Sequence, residues 1–279
     1  MSAGLAGRQG PPYTHAARRV FDLSLGEMLW SRRTIFMALV VGAPVLLAIV
    51  IRIVQSTGVT PLRINRVSVD GAGIFGMMMW ILYLRFIVPV LGVFYGTSLI
   101  ADEVEDKTIT YLFTRPVPRG AVLLGKYLAY LVCTTLVVLP SVMLVYFLLV
   151  PLGQVGASFL QLLTDLAILA AGLATYGALF AWVGTLVKRP LLVGLVFAFG
   201  FEQVVLLMPG YLKRFTLAYY LQGLVPHAMP SEGVVSLLQA VFRESPSTVT
   251  AIFWLLFALV ASLVLAARTV ERREYVLEQ

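Results

Sequence analysis

DEVEDKTITYLFTRPVPRGAVLLGK, residues 102–126, is a charged island between two long apolar runs. The run before it, Trp80 to Ile100, carries one charge, Arg85, and the run after it, Tyr127 to Val150, carries none. Charged side chains are costly in hydrocarbon, so the island sits in water or at a membrane surface while its flanks cross the bilayer. This contrast decides the fold class: an all-α, polytopic membrane protein that offers a polar segment to a partner.

The composition agrees. Of 279 residues, 59% are hydrophobic and 13% charged, and the mean hydropathy is +0.91. A soluble domain carries roughly 25% charged residues. The net charge of +7 is spread over short clusters beside apolar runs, as topology signals are. It does not form the single patch that nucleic acid would need, and no nucleic-acid partner is expected. The one cysteine, Cys133, lies in an apolar run; it reads as a small packed hydrophobe and rules out a disulfide within the chain. His15 and His227 lie far apart without cysteine or acidic neighbours at ligand spacing, so no metal site is expected.

Residues Met1 to Pro12 are rich in Gly, Ala and Pro and read as a tail. From Tyr13 to Arg33, Val20, Phe21, Leu25, Met28 and Leu29 recur at helical spacing among charged residues, with Trp30 near the end. That pattern predicts an amphipathic helix lying in the membrane interface. These first 33 residues lack an uninterrupted apolar core, so a cleavable signal peptide is not expected. The domain scheme is therefore a tail with an interfacial helix (1–33), a membrane domain (34–268) and a C-terminal tail (269–279).

A hydrocarbon core of about 30 Å needs ~20 helical residues. Six stretches reach that length: Thr34–Val54, Trp80–Ile100, Ala121–Val150, Gln161–Val187, Pro190–Pro209 and Thr248–Arg268. Counting Lys and Arg in alternate connections gives fourteen on one side and six on the other, with Arg85 inside a span. The positive-inside rule then puts both termini and the island in the cytoplasm, as expected for a protein of the cytoplasmic (inner) membrane. On the outer side, Gln55–Met79 reads as a Gly-rich connection and Leu152–Leu160 as a short one. Tyr211–Val225 reads as a short helix at the outer surface. No internal repeat is evident, which argues against an inverted-repeat secondary transporter.

Gly120-Ala-Val-Leu-Leu-Gly125-Lys126-Tyr127 comes close to the phosphate-loop pattern. It fails because Tyr127 replaces the magnesium-binding Ser or Thr and no strand precedes it. Lys126 is better read as snorkelling from the start of a span. The chain is thus expected to bind no cofactor itself; if ATP drives it, another polypeptide binds the ATP and Mg. No Ser-His-Asp constellation is present in one connection, and no catalytic residue is assigned.

Three ionisable residues fall within spans: Arg85, Asp165 and Glu202. Arg85 and Asp165 are expected near the outer ends of their spans, and Glu202 about 18 Å from the inner end of its own. All three then lie in the outer half, where they could pair. Two readings stay open, a buried ion pair holding helices together or a polar lining of a substrate route. Asp102, Glu103, Glu105 and Asp106 lie beside Lys107, Arg115 and Arg119, a solvated protein-binding face rather than a cation cage.

The order of amphipathic helix, two spans, acidic island and third span resembles the type-2 ABC exporter permeases, including the branch of nitrous-oxide-maturation, gliding, sodium and antibiotic export components. Glu103 and Glu105 match that family's acidic pair, Thr108-Ile109 its Thr-Leu, and Tyr111-Leu112-Phe113 its apolar run. Pro116-Val117 and Arg119 match its Pro-Val-x-Arg, and Gly125-Lys126 its closing pair. Lys107 and Pro118 depart from the usual Gly and Ser. The resemblance implies a dimer of six-span halves, as a homodimer or heterodimer, each resting on a separate ATPase subunit. It further implies a coupling helix near Glu103 to Phe113 seated on that ATPase, with Arg115, Pro116 and Arg119 in the return to the membrane. Two other readings remain, an ion- or proton-coupled secondary transporter using Asp165 and Glu202, and a non-transporting scaffold.

Overall fold

In a computed structural model, the described residues are 13–56, 63–64, 67–68, 71–105, 119–208, 211–225 and 246–272. The first helix, α1 (Tyr13–Leu29), buries Ala16, Ala17 and Ser24. Its other face leaves Arg18, Arg19 and Leu23 exposed. Trp30, just beyond it, is 93% exposed. Small residues inward and basic or bulky apolar residues outward suit a helix lying between the bundle and an interface. The chain then turns sharply. Thr34 and Ser31 both donate hydroxyls to the Met28 carbonyl, satisfying an end carbonyl that the helix cannot, and α2 (Arg32–Ser56) begins.

The next helix, α3, is irregular. It runs as α-helix Gly71–Met78, π-helix Met79–Ile87, α-helix Val88–Leu91, π-helix Gly92–Gly96 and α-helix Ser98–Glu105. Pro89 has no N–H to give to the carbonyl four residues back and its ring crowds that carbonyl; the wide π turns lie directly before it. After α3 come α4 (Arg119–Leu149) and α5 (Leu152–Leu186). The helix α6 is built from Pro190–Leu195, π-helical Val196–Phe201 and Glu202–Leu207. A 3₁₀ turn (Tyr211–Phe215) leads into α7 (Leu217–Leu224), and α8 (Thr248–Arg272) completes the described chain. Two-residue strands, Arg63–Ile64 and Val67–Ser68, pair antiparallel between α2 and α3.

Among the described residues, five helical stretches are long and apolar enough to cross a membrane: Arg33–Ser56, Gly71–Ala101, Arg119–Leu149, Ser158–Leu186 and Thr248–Arg272. The remaining expected span is the shorter Pro190–Leu206. Its 17 residues reach roughly 26 Å, because the backbone turns extended at Met208. Two expected connections are partly or wholly helical instead. The second crossing starts at Gly71 rather than Trp80, since Ile74, Phe75, Met78 and Met79 bury themselves in the core and Phe75 meets Tyr146 edge-on. Leu152–Leu160 belongs to α5. The short helix expected within Tyr211–Val225 is present as the 3₁₀ turn and α7.

Burial sorts the bundle into centre and rim. The apolar window of α3 is 67% buried and that of α5 56%, against 22% each for α2 and α8. Glycines make the centre possible. A methyl on Gly92 would lie 2.7 Å from Tyr176 Cβ, and one on Gly96 2.9 Å from the Gly177 carbonyl, so α3 and α5 touch nearly backbone to backbone. Small residues permit such contacts where lipid supplies no hydrophobic drive between helices.

Candidate functional site

The island divides into a described and an undescribed part. The helix carrying Glu103 and Glu105 begins at Ser98, so the acidic pair extends the second crossing; no new helix starts at Glu103. Thr108, Tyr111, Leu112, Phe113, Arg115 and Pro116 lie outside the described residues. Arg119 opens α4, and Gly120 to Lys126 is continuous helix, so the would-be phosphate loop is no loop at all.

Both ends of the undescribed stretch are gripped. Ile100 on α3, Leu123 on α4 and Ala266 and Val270 on α8 form one buried cluster, with Trp182 of α5 against it. Ala16 and Ala17 of α1 pack on Ala121. Gly125 lets α1 come close: a methyl there would lie 2.6 Å from the Ala17 carbonyl and 2.9 Å from Val20 Cβ. Tyr13 leans over Gly120 toward Glu271 of α8. Partial burial, and next the Glu271 carboxylate, hold its hydroxyl pKa above the ordinary value. Five helices therefore converge where the island leaves and re-enters the bundle.

A second polar assembly lies within the bundle. Glu202 is fully buried. Its Oε2 accepts the Tyr176 hydroxyl at 2.6 Å and its Oε1 accepts the Ala218 N–H at 2.8 Å. Ala218 lies in the first turn of α7, where N–H groups have no helical partner and the dipole favours negative charge. Glu202 thus joins α5, α6 and α7. Arg85 donates from Nε to the Gln203 Oε1 at 2.5 Å, and its guanidinium lies 5.4 Å from the centroid of the Trp80 ring.

The expected grouping of the three ionisable residues is therefore rearranged. Arg85 and Glu202 attract each other, yet among the described residues no ion pair within 4 Å joins them. Each is hydrogen-bonded to other groups. Arg85 lies at the middle of α3, because that helix begins nine residues before Trp80. Asp165 is fully buried and stands eleven residues before Tyr176 on α5, roughly 16 Å along the helix.

Gln203 and Tyr176 carry half of these contacts and were absent from the sequence-based candidates. The adjacent Glu202-Gln203 pair in an apolar run was a usable signal for the first; nothing local marks the second. Other tyrosines act as ties. Tyr127 and Tyr130 of α4 donate to the Ala174 and Leu173 carbonyls of α5 at 2.9 and 2.8 Å. Tyr83 shares a 2.7 Å hydrogen bond with Ser141, which donates to the Val41 carbonyl. Among the described residues no group of three or more His, Cys, Asp or Glu could hold a metal ion.

No curated protein matches the sequence. A family profile described as ABC-2 family transporter protein matches residues 21–275, a range that includes α1 from Phe21, the assembly around Glu202 and all of α8. With its several long apolar helices this is a multi-pass membrane protein, and the chain belongs to the ABC-2 family of transporter proteins.

Proposed function

We propose that this chain is the membrane subunit of an ATP-driven exporter and works as a dimer, with ATP and Mg bound by a separate ATPase subunit. In this reading the short α6 completes a set of six spans, and both termini and the island face the cytoplasm of an inner-membrane protein. Residues 103–113 dock on the ATPase, with Glu103, Glu105, Thr108, Tyr111, Leu112 and Phe113 in contact. Arg115, Pro116 and Arg119 carry the displacement back into α4.

One observation carries this reading: the two ends of the island meet in the Ile100–Leu123–Ala266–Val270 cluster while α1 clamps Gly120 to Gly125. Well-packed interiors transmit strain rather than absorb it. A push on residues 106–118 therefore reaches α1, α3, α4 and α8 together. The alternative of proton or ion coupling at Glu202 is not favoured, since that carboxylate is committed to Tyr176 and to the start of α7.

Co-expression with a candidate ATPase tests the proposal. The ATPase is expected to co-purify, and Glu103→Lys with Glu105→Lys is expected to abolish the association and ATP-dependent export. Association and export that both survive the double reversal would show that the docking assignment is wrong.

A further inference from the structure

Arg85 has more hydrogen-bonding capacity than the described residues use. Its Nε is spent on Gln203, and among the described residues the two terminal nitrogens of the fork make no hydrogen bond. The residue is partly exposed rather than enclosed. Its depth makes this a problem. The crossing Gly71–Ala101 has 31 residues, roughly 46 Å at 1.5 Å per residue, and Arg85 is near its midpoint. Any window of about 30 Å laid along that helix leaves Arg85 at least ~6 Å below either face. An arginine at such depth does not face lipid tails; it pairs, or it lines a pathway.

The surroundings define what would satisfy it. Glu202 supplies a neighbouring negative charge, but both of its oxygens are engaged elsewhere. Next to Arg85 on the same helix, Ile81 and Phe86 are exposed apolar side chains. Phe86 lies 5.8 Å from Phe199 between ring centroids. A planar fork of N–H donors matches a carboxylate or phosphate with two parallel hydrogen bonds, and the adjacent apolar surface matches a chain.

We propose that the Arg85 fork, positioned by Gln203 and Trp80 between α3 and α6, binds the acidic head, carboxylate or phosphate, of a molecule with an apolar chain. As a statement about cargo this rests on the chain being a transport subunit; as a statement about binding it does not. The acidic head takes the two terminal nitrogens of the fork, and the chain lies along Ile81 and Phe86.

The test uses the full chain in phosphatidylcholine nanodiscs. Radiolabelled dodecanoate and dodecyl phosphate are titrated beside dodecanol and dodecyltrimethylammonium, with binding to empty nanodiscs subtracted. Saturable binding of the two anions is expected, at least roughly tenfold tighter than either control. Arg85→Gln is expected to weaken it roughly tenfold and Arg85→Lys by less, since lysine keeps the charge but not the fork. Repeating the titration in phosphatidylglycerol separates two sources of the same chemistry: competition assigns the site to a phospholipid head, and no competition assigns it to a free amphiphile. Equal binding of all four ligands, or undiminished binding of the anions to Arg85→Gln, overturns the proposal. If Arg85→Gln does not fold, the four-ligand comparison on the unaltered chain decides alone. Neither ATP nor an ATPase takes part, so failure of the docking proposal and failure of this one are read separately.

Discussion

Tyr176 of α5 donates a hydroxyl hydrogen bond to Glu202 of α6 across 2.6 Å, and the same carboxylate holds the first turn of α7 through Ala218. A buried carboxylate without donors is costly, so this arrangement fixes three helices around one side chain. Tyr176→Phe is expected to cost about 1–3 kcal/mol by leaving the carboxylate one donor short. Glu202→Gln, whose amide oxygen still accepts, is expected to cost less, and Glu202→Leu more than either. Thermal unfolding in detergent ranks the three; a Glu202→Leu variant as stable as the unaltered chain would remove Glu202 from any structural role.

Gly125 determines whether α1 rests on α4. Gly125→Leu places a side chain where the Ala17 carbonyl and Val20 now sit, and is expected to lift α1 away while leaving α4 helical. Limited trypsin digestion checks this. Cleavage at Arg18 and Arg19 is expected to become several times faster, with unchanged helix content by circular dichroism.

The contact of Tyr13 with the α8 end is expected to depend on alkaline pH. Because the folded-state pKa is raised, the protonated hydroxyl is favoured by folding. That contribution is complete below the unfolded value near 10 and is lost as pH rises through the folded value. Proteolysis of α1 is expected to accelerate above pH ~10, and Tyr13→Phe is expected to flatten the profile in that range. An unchanged profile in Tyr13→Phe would assign the effect to other groups.

Cys133 is fully buried within α4. A maleimide probe is expected to leave the folded chain unlabelled and to modify one site per chain after unfolding in sodium dodecyl sulfate. Rapid labelling of the folded chain would contradict the packing of α4 against α2 and α5.

Local chemistry determined which parts of this arrangement the sequence exposes. The helix α1 and the return to helix near Ala121 were legible because each is a contrast between neighbours in the chain. Glu202 stood out for the same reason, as a charge in an apolar run. The start of α3 at Gly71 was hidden, since its Gly and Met residues read as a loose connection until Phe75 finds Tyr146. The engagement of Glu202 by Tyr176, and of Arg85 by Gln203, depends on how α3, α5 and α6 pack. A tyrosine in a span looks like any other aromatic until its hydroxyl has an address.

The closure of Ile100 against Leu123 has a consequence for how such a subunit diversifies. Among the described residues, Ile100, Leu123, Ala266 and Val270 close one seam between the helices on either side of 106–118. A change of length or sequence in that stretch is expected to leave the registry of those helices unchanged. On the proposed reading, partner choice and cargo choice would then be separately heritable traits of one chain: exchange of 106–118 is expected to redirect the subunit to a new motor, and substitution around Arg85 to alter what is carried.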